Sequence, residues 1–478
     1  MAEHLRDENY RDHIATVDKE GKRIWVYPKK PKGSFTTKRT WVAWILLGLL
    51  FAVPHIRIAG QPLLQLDFLG RKFIIFGNLF YPADAFIFVI ISITAVVSII
   101  LFTVVFGRLF CGWLCPQTVF MEMVFRKVEY WIEGDYKQQI KLNKQTWDAE
   151  KLRKKIFKHI IFFVISFLIA NTFLAYIIGS EALWEIQIDD PQNHVTGLLS
   201  ILLFTFIFYM VFSQLREQVC TTICPYGRLQ GVLLDKDSIV VAYDYKRGES
   251  RAKFRKGEDR TEAEKGDCID CFQCVDVCPT GIDIRNGTQL ECINCTICMD
   301  ACDTIMEGVG LEKGLIRYAS ENEIVANNPE VKQGFSWTVR MRGYAAVLTL
   351  LFIAMITLLF IRDDVQAIVL RSPGSLYIQT ENGDYQNIYT VKLLNKTNEQ
   401  LIIEIKDLDN IGDLLIASPS IVLEPQKEFN TAMVLTRSKE DIVKFQTNVE
   451  FGIYSNGELI EKVKSTFVGP IKKQSNEN

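Results

Sequence analysis

The chain has 478 residues, with 54 lysines and arginines against 56 aspartates and glutamates, 12 cysteines, 5 histidines and 49% hydrophobic residues. Its mean hydropathy is positive despite this charge, so apolar residues must be concentrated in some segments and charges in others. The balance of charges argues against a nucleic-acid partner, which normally requires a basic excess, and the composition excludes disordered and collagen-like proteins. We therefore expect a membrane protein with sizeable soluble parts.

Five apolar stretches approach the roughly 20 residues that a helix needs to cross a bilayer. They cover residues 41–58, 83–106, 156–178, 197–212 and 344–361. The first follows a long charged segment and lacks a short apolar core with a small-residue cleavage site. We therefore expect it to remain as a membrane anchor rather than to be removed as a secretory signal.

The lysines and arginines of the short loops predict the orientation in the membrane. Residues 107–155 carry ten of these cations, whereas residues 179–195 carry none. The first segment is therefore expected in the cytoplasm and the second outside. With five spans, the N-terminal tail also lies in the cytoplasm and the C-terminal region lies outside.

The C-terminal region changes from continuous apolar runs to alternation of apolar and polar residues, which is typical of half-buried strands. The clearest runs are 389–394, 401–405, 431–435 and 448–454, and Asn456-Gly457 is a hairpin signal. About 100 residues of short strands predict an antiparallel β-sandwich. The region contains no cysteine or histidine, so binding or scaffolding is favoured over catalysis there.

Eight cysteines form two runs of the type C-x-x-C-x-x-C-x-x-x-C. In the bacterial two-cluster ferredoxins that use this spacing, the fourth cysteine of each run ligates the cluster of the other run. We therefore assign one 4Fe-4S cluster to a first thiol set and a second cluster to a second thiol set. The first thiol set is Cys268, Cys271, Cys274 and Cys302, and the second is Cys292, Cys295, Cys298 and Cys278.

Zinc is the simpler alternative, because C-x-x-C pairs also suit tetrahedral zinc sites. Two matched runs of four cysteines on the cytoplasmic side favour iron–sulfur clusters instead. The second run has Asp303 where the first has Pro279. This change could alter the hydrogen bonding of its cluster but is not expected to change the ligands.

The remaining four cysteines form two C-x-x-x-C-P motifs, each placed after a pair of spans. Cys111 and Cys115 follow the second span, and Cys220 and Cys224 follow the fourth. This arrangement indicates a tandem duplication whose axis lies along the membrane normal, which could bring the four thiols together at the cytoplasmic face. We call these four residues the four-thiol site.

Proline is favoured at the first position of a helix, so Cys115 and Cys224 are predicted to be helix N-caps, the former before an amphipathic helix over residues 117–131. The helix dipole would stabilise a thiolate there and lower the pKa of the thiol. Thiolates are good ligands for Cu(I) and iron. Packing of small apolar residues is the alternative reading, and two copies of the motif favour a redox or metal role, with the metal left open.

Two further features receive structural interpretations. Met121 and Met123 could ligate copper, but methionine in a helix more often packs in the core. The charged stretch at 246–265 is interpreted as a solvated linker into the ferredoxin segment.

Several strings resemble the CcoG family of cytochrome c oxidase accessory proteins, also called RdxA or FixG. The resemblance covers nearly the whole chain. The strings are Cys111-Gly-Trp-Leu-Cys115-Pro-Gln-Thr118, Cys224-Pro-Tyr-Gly-Arg-Leu-Gln230, Asp235-Lys-Asp-Ser with Tyr243-Asp244, Arg247-Gly-Glu-Ser-Arg251 and Gly314-Leu-Ile-Arg-Tyr318.

The resemblance implies a membrane-bound iron–sulfur protein that supports assembly of a haem-copper cytochrome c oxidase by reducing Cu(II) to Cu(I) for insertion. It implies the oxidase and its copper-assembly factors as partners, beside the lipid bilayer and a cytoplasmic electron donor. The eight ferredoxin cysteines carry over as cluster ligands. The four-thiol site carries over as electron-transfer or copper-handling groups, with copper as substrate or transient ligand.

The resulting expectation is a multidomain protein of the bacterial inner membrane. Its predicted parts are a cytoplasmic tail (1–39), a four-span α-helical domain with both C-x-x-x-C-P motifs (40–235), a cytoplasmic α+β two-cluster ferredoxin domain (236–337), a fifth transmembrane helix (338–364) and an all-β immunoglobulin-like sandwich in the periplasm (365–478).

Two other functions stay open. Quinol dehydrogenase subunits of the NapH type also combine four spans, two C-x-x-x-C-P motifs and a two-cluster ferredoxin, and would take electrons from membrane quinol. A non-enzymatic scaffold that only senses redox state is the third hypothesis. The fifth span and the β-sandwich favour the oxidase accessory protein over the NapH type. Activity after substitution of cluster ligands separates the scaffold from the other two, because a scaffold should tolerate a folded variant that is redox-silent.

Overall fold

The computed structural model describes residues 16–470, apart from 18, 19, 21, 59, 69, 71, 81–84, 261, 327–337, 375, 419, 420 and 443. Residues 1–15, 18, 19 and 21 of the predicted N-terminal tail, and the predicted domain boundary at 337, therefore lie outside the described residues. The chain forms two compact units. One comprises Met1–Pro54 with Val89–Ile353, and the other comprises His55–Phe88 with Ala354–Asn478.

Among the described residues, five helices are long and apolar enough to cross a membrane. They match the five predicted stretches, although the first begins seven residues before the apolar run, at Ser34 rather than at 41. Their bounds are α1 (Ser34–Ala52), α2 (Ala85–Phe106), α3 (Ala149–Ile178), α4 (Val195–Met210) and α5 (Val339–Phe360).

The start of α1 is fixed by a carboxylate from the ferredoxin segment. The backbone N–H groups of Phe35 and Thr36 donate to the Asp300 carboxylate at 3.0 and 2.7 Å. An acidic group at a helix N-terminus satisfies free N–H groups and complements the helix dipole. Gly33 allows this approach, because a Cβ there would lie 2.2 Å from Cγ of Asp300. The first spanning helix and the ferredoxin segment are thus joined by direct contacts.

The ferredoxin segment combines a short sheet with two helices that follow the cysteine loops. Strands Val240–Tyr243 and Ile316–Ala319 pair antiparallel. Helix Gln273–Asp276 carries Cys274 and helix Ile297–Val309 carries Cys298 and Cys302. The cysteines pack among apolar side chains of this core.

The stretch at 246–265 is only in part the solvated linker that its composition predicts, because residues 253–257 are exposed but other parts of the segment pack on the protein. Arg260 is 8% exposed, and its guanidinium donates to the carbonyls of Gly266 and Cys268. Buried backbone carbonyls require hydrogen-bond donors. Arg260 supplies these donors, and its hydrogen bonds hold the segment against the first thiol set.

The predicted amphipathic helix at 117–131 is helical, but Lys127 is its only exposed charged residue. It consists of Pro116–Thr118, a π-helical turn at Val119–Phe125 and Arg126–Ile132. Arg126 and Glu129 are almost fully buried, at 2% and 1% exposure. Met121 and Met123 lie in the apolar core between helices, as the packing interpretation predicts.

The buried charges belong to one ion-pair network. Arg216 donates to both oxygens of the Glu129 carboxylate at 2.9 Å, and Lys158 lies 3.6 Å from Glu129. Arg126 pairs with Glu122 at 2.9 Å. Arg216 has a left-handed backbone with φ of 54°, which L-residues other than glycine adopt only under strain. The bidentate contact with Glu129 holds the turn that leads to Cys220.

The C-terminal unit is the predicted β-sandwich of antiparallel strands. One sheet has the order Asp413–Ile416, Glu428–Arg437, Tyr385–Asn395 and Val365–Arg371, with Ile378–Gln379 beside the third strand. The other has the order Ile421–Leu423, Leu401–Asp407, Gln446–Ser455 and Glu458–Val468. Asn456-Gly457 forms the turn between the last two strands, both residues with positive φ, as the hairpin signal predicts.

The segment at 55–88 contains strands that the sequence analysis did not identify. Leu64–Asp67, Lys72–Ile75 and Asn78–Phe80 form a three-stranded sheet. Arg362 stacks over the ring of Phe80 at 4.4 Å, and Gln426 donates to the carbonyl of Gly77 at 3.2 Å. The loop between α1 and α2 therefore packs with the domain that follows α5.

Candidate functional site

The two ferredoxin loops have the same backbone geometry. Asp270 and Asn294, each two residues after the first cysteine of its run, have φ of 54° and 52°. Phe272 and Thr296, each following the second cysteine, have φ of 56° and 65°. Such left-handed residues reverse the chain sharply, which turns the successive thiols of each run toward a common centre.

The structure brings the cysteines together in the crossed sets. Cys278, from the first run, lines one cavity with Cys292, Cys295 and Cys298, and Cys274 lines the same cavity. Cys278 is also an electrostatic neighbour of Cys292 and Cys295. Cys302, from the second run, shares an apolar cluster with Cys268 and Cys274. Burial, together with the neighbouring thiols of Cys268 and Cys271, raises the pKa of Cys302 to about 12. Each set therefore takes three thiols from one run and one from the other.

The second thiol set fits an iron–sulfur cluster in its hydrogen bonds as well as in its thiols. The backbone N–H groups of Asn294 and Ile297 donate to Cys292 and Cys295. Burial raises the pKa of Cys292 to about 12 and that of Cys295 to about 11. Buried thiols of this kind become ligands by losing their protons when a metal centre binds.

The two C-x-x-x-C-P motifs adopt matching conformations. Cys115 has φ of −61° and ψ of 125° and is the N-cap of Pro116–Thr118. Cys224 has φ of −68° and ψ of 113° and is the N-cap of Pro225–Leu233. Both cysteines thus occupy the helix-start position expected from the following proline.

The predicted lowering of the Cys115 pKa is wrong. Burial raises the pKa of this thiol, although the backbone N–H groups of Gln117 and Thr118 donate to it and oppose the rise. Removing the thiolate charge from water raises the pKa by more than these two hydrogen bonds and one helix turn lower it. The helix following Cys115 has only three residues before the π-helical turn, so its dipole contribution is small.

The four thiols are near neighbours. Burial raises the pKa of Cys111 to about 11, with Cys115 adding to the rise. Burial raises the pKa of Cys220 to about 12, and Cys115 and Cys111 add more than Cys224 of its own motif. The two motifs therefore lie close together, and the thiols of Cys111 and Cys220 are protonated at neutral pH.

The first C-x-x-x-C-P motif lies directly against the loop of the second thiol set. A Cβ added to Gly112 would lie 2.4 Å from the carbonyl oxygen of Ile293, so glycine is required for this approach. Cys111 packs in the same apolar cluster as Ile293 and Cys295. Arg39, from α1, donates to the carbonyl of Gly112 at 2.7 Å and is 2% exposed.

A second buried arginine joins the two motifs to the second thiol set. Arg108 is 5% exposed and donates to the carbonyl of Gly227 in the second motif. Burial lowers the pKa of Arg108, and the neighbouring Cys111 and Cys292 oppose this effect. The thiol of Cys111 also donates to Oε1 of Gln230 at 3.2 Å. Arg108 is thus a buried cation between the four-thiol site and the second thiol set.

Arg39, Arg108 and Gly112 were not identified from the sequence. Gly112 lies inside the first motif and Gln230 ends the second string. Both residues therefore belong to the strings that carry the family resemblance, but the sequence assigned no function to either of them. The arginines had no such signal, because their partners lie far away along the chain.

Three protein-family models match the chain. A 4Fe-4S dicluster domain matches residues 215–321, and an IG-like fold at the C-terminus of FixG matches residues 355–470. A 4Fe-4S binding domain matches residues 88–137, which include Cys111 and Cys115. The last match shows that the first C-x-x-x-C-P motif lies in a segment similar to 4Fe-4S binding domains.

The chain is also similar to curated proteins over most of its length. It is 35% identical to Protein RdxB of Cereibacter sphaeroides over 389 residues, which cover 79% of this chain and 80% of that protein. It is 33% identical to Protein RdxA of the same organism, covering 79% and 81%. It is 32% identical to the nitrogen fixation protein FixG of Rhizobium meliloti over 418 residues, covering 80% and 79%. The chain is an iron–sulfur electron-transfer protein with multiple membrane spans and belongs to the FixG/RdxA family.

Proposed function

We propose that this protein reduces Cu(II) to Cu(I) at the four-thiol site, on the cytoplasmic side of the membrane, and thereby supports copper insertion during assembly of a haem-copper cytochrome c oxidase. The observation that carries this proposal is the contact of the first C-x-x-x-C-P motif with the loop of the second thiol set. Gly112 and Cys111 lie against Ile293 and Cys295 with no intervening side chain at the Gly112 approach.

The proposed cofactors are two 4Fe-4S clusters. Cys268, Cys271, Cys274 and Cys302 would hold one, and Cys278, Cys292, Cys295 and Cys298 the other. Bound at these thiols, iron–sulfur clusters supply one-electron redox chemistry. Reduction of one Cu(II) ion to Cu(I) consumes one electron, so the carrier and the reaction are matched in electron number.

The thiols of the four-thiol site favour Cu(I), the product of the proposed reaction. Soft thiolates select Cu(I), and each thiol that binds copper releases its proton. We propose that two thiols bind Cu(I) at a time. Because Cys115 influences Cys220 more than Cys224 does, a pair drawn from both motifs is the arrangement we favour.

Two sets of contacts support the proposed orientation. The segment before α1 packs on the ferredoxin segment, with Lys29 donating its backbone N–H to the carbonyl of Asp276 at 2.7 Å. We place both in the cytoplasm, where the lysine and arginine distribution puts them. The loop between α1 and α2 packs with the C-terminal sandwich, and we place both in the periplasm, with the oxidase and its copper-assembly factors as partners of the sandwich.

The test is a single-turnover experiment on the anaerobic full-length protein after reduction with dithionite and removal of excess reductant. Cu(II) is added with a Cu(I)-specific chelator while the cluster absorbance is followed. We expect cluster reoxidation matched by Cu(I) formation, with loss of Cu(I) formation in Cys111→Ala/Cys224→Ala. Thr222→Ala, an exposed position between Cys220 and Cys224, is the matched control and should keep the rate.

A contrary result would have a defined form. Clusters that stay reduced with Cu(II) but reoxidise with a soluble quinone would replace this proposal by the quinol-linked alternative. A folded variant without clusters that still supports oxidase assembly would instead favour the scaffold.

A further inference from the structure

The first thiol set reaches the protein surface through one of its cysteines. Cys271 is exposed, whereas Cys268, Cys274 and Cys302 are buried. The next residue, Phe272, is 48% exposed, and the guanidinium of Arg285 stacks on its ring at 4.2 Å. Arg285 is itself paired with Asp270 and Asp283 at 2.6 Å. A fixed aromatic ring therefore stands beside the exposed ligand.

A cationic segment runs along the same thiol set. The backbone N–H of Ala252 donates to the carbonyl of Cys268 at 3.2 Å, and Arg260 donates to the carbonyls of Cys268 and Ala252, both at 3.2 Å. The four residues after Ala252 are all exposed: Lys253, Phe254, Arg255 and Lys256. Phe254 is 39% exposed.

We propose that this surface, made of Lys253, Phe254, Arg255, Lys256 and Phe272 and called the basic rim, docks an acidic one-electron carrier protein of the flavodoxin or ferredoxin class. The proposal rests on the electron-transfer part of the proposed function and is independent of copper. A flavin hydroquinone anion that gives up one electron becomes the neutral semiquinone, with no proton released, and the first thiol set's cofactor is reduced by that electron.

Charge and apolar content together favour a protein carrier. Three adjacent cations attract an acidic surface and speed encounter, while two exposed phenylalanines supply an apolar centre of the kind found in small, transient interfaces. Glu258 lies near Arg255 and lowers the local positive potential, but Lys265 pairs with its carboxylate. An anionic membrane surface would also attract these cations. Membrane binding, however, would not explain why the cations lie beside the exposed Cys271.

The experiment uses the full-length protein in detergent and a flavodoxin as the probe. Binding of the oxidised flavodoxin is measured by titration over a range of salt concentrations, for the wild type and for Lys253→Glu/Arg255→Glu/Lys256→Glu. We expect affinity at low salt to fall about tenfold or more, with a weaker salt dependence. The matched control is Lys406→Glu/Lys462→Glu/Lys464→Glu, the same charge change at exposed positions of the C-terminal sandwich, which should change affinity by less than about twofold.

Two further measurements separate docking from damage to the site. Reduction of the clusters by flavodoxin hydroquinone should slow by the same factor as binding weakens, while reduction by dithionite reaches the same extent. Phe254→Ala should weaken binding a few-fold without changing its salt dependence. Equal affinity of the wild type and the rim variant would overturn the proposal, as would equal losses in the rim and control variants. No copper is present, so a failure here is distinct from a failure of the proposed reductase.

Discussion

The two thiol sets of the ferredoxin segment share spacing and backbone geometry but have different surroundings. The first set has an exposed cysteine, Cys271, beside a cationic segment. The second set has no exposed cysteine and lies against the first C-x-x-x-C-P motif, near Arg39 and Arg108. Identical local motifs thus acquire different roles from non-local contacts. One set reaches solvent through Cys271, and the other lies against the four-thiol site.

Removal of one ligand from each set tests this difference with the largest expected effect. Cys295→Ala should abolish Cu(I) formation, because the site beside the four-thiol site loses its cofactor, and should lower the iron content by about half. Cys271→Ala should lower iron similarly, yet leave Cu(I) formation measurable after chemical reduction with dithionite. Iron analysis and the single-turnover assay check both variants. Equal loss of Cu(I) formation in the two would remove the distinction between the sets.

The pH dependence of Cu(I) affinity sharpens the description of the four-thiol site. Burial raises the pKa of Cys111 to about 11 and that of Cys220 to about 12, so these thiols are protonated at neutral pH and must lose protons on binding. Affinity should therefore rise with pH from 6 to 8, by roughly tenfold per pH unit for each thiol that binds. Competition with a Cu(I) chelator at several pH values measures this slope. An affinity independent of pH would show that the thiols that bind copper are already thiolates, contrary to this expectation.

Gly112 tests the contact between the four-thiol site and the second thiol set. Gly112→Ala places a Cβ 2.4 Å from the carbonyl oxygen of Ile293, so the motif must shift away from the loop, and we expect Cu(I) formation to slow about tenfold. Gly308→Ala is the matched control, since a Cβ there meets no atom within 4 Å. Iron content should be unchanged in both. An unaffected rate in a folded, iron-replete Gly112→Ala protein would argue against this contact as the functional one.

Arg108 allows a smaller and more selective test of the comparison. Its buried cation adjoins Cys292 of the second set, and a positive charge favours the reduced, more negative state of a redox centre. Arg108→Gln should therefore lower the reduction potential of one cluster by roughly 59 mV, a tenfold change for one electron, while Arg108→Lys preserves most of it. An EPR-monitored redox titration resolves the two clusters. A shift in both potentials, or in neither, would contradict the proposed position of the cation.

The sequence predicted what depends on local spacing. The helix-start positions of Cys115 and Cys224 follow from the prolines after them, and the five spans and the sandwich follow from length and periodicity. It did not predict Asp300 at the start of α1, Arg39 on Gly112 or Arg260 on Cys268, because each joins residues whose contact depends on the tertiary fold. The prediction for the Cys115 pKa failed for a related reason. The dipole could be inferred from the local pattern, but the burial that outweighs it could not.

We propose above all that copper binds to the thiols of the four-thiol site and is reduced there. Copper K-edge X-ray absorption of the anaerobic, dithionite-reduced full-length protein, after addition of one equivalent of Cu(II), tests reduction and ligation together. Our account predicts a Cu(I) edge with sulfur as the dominant scatterer, and loss of the sulfur signal in Cys111→Ala/Cys224→Ala. Copper that remains Cu(II) with only nitrogen and oxygen neighbours would contradict it.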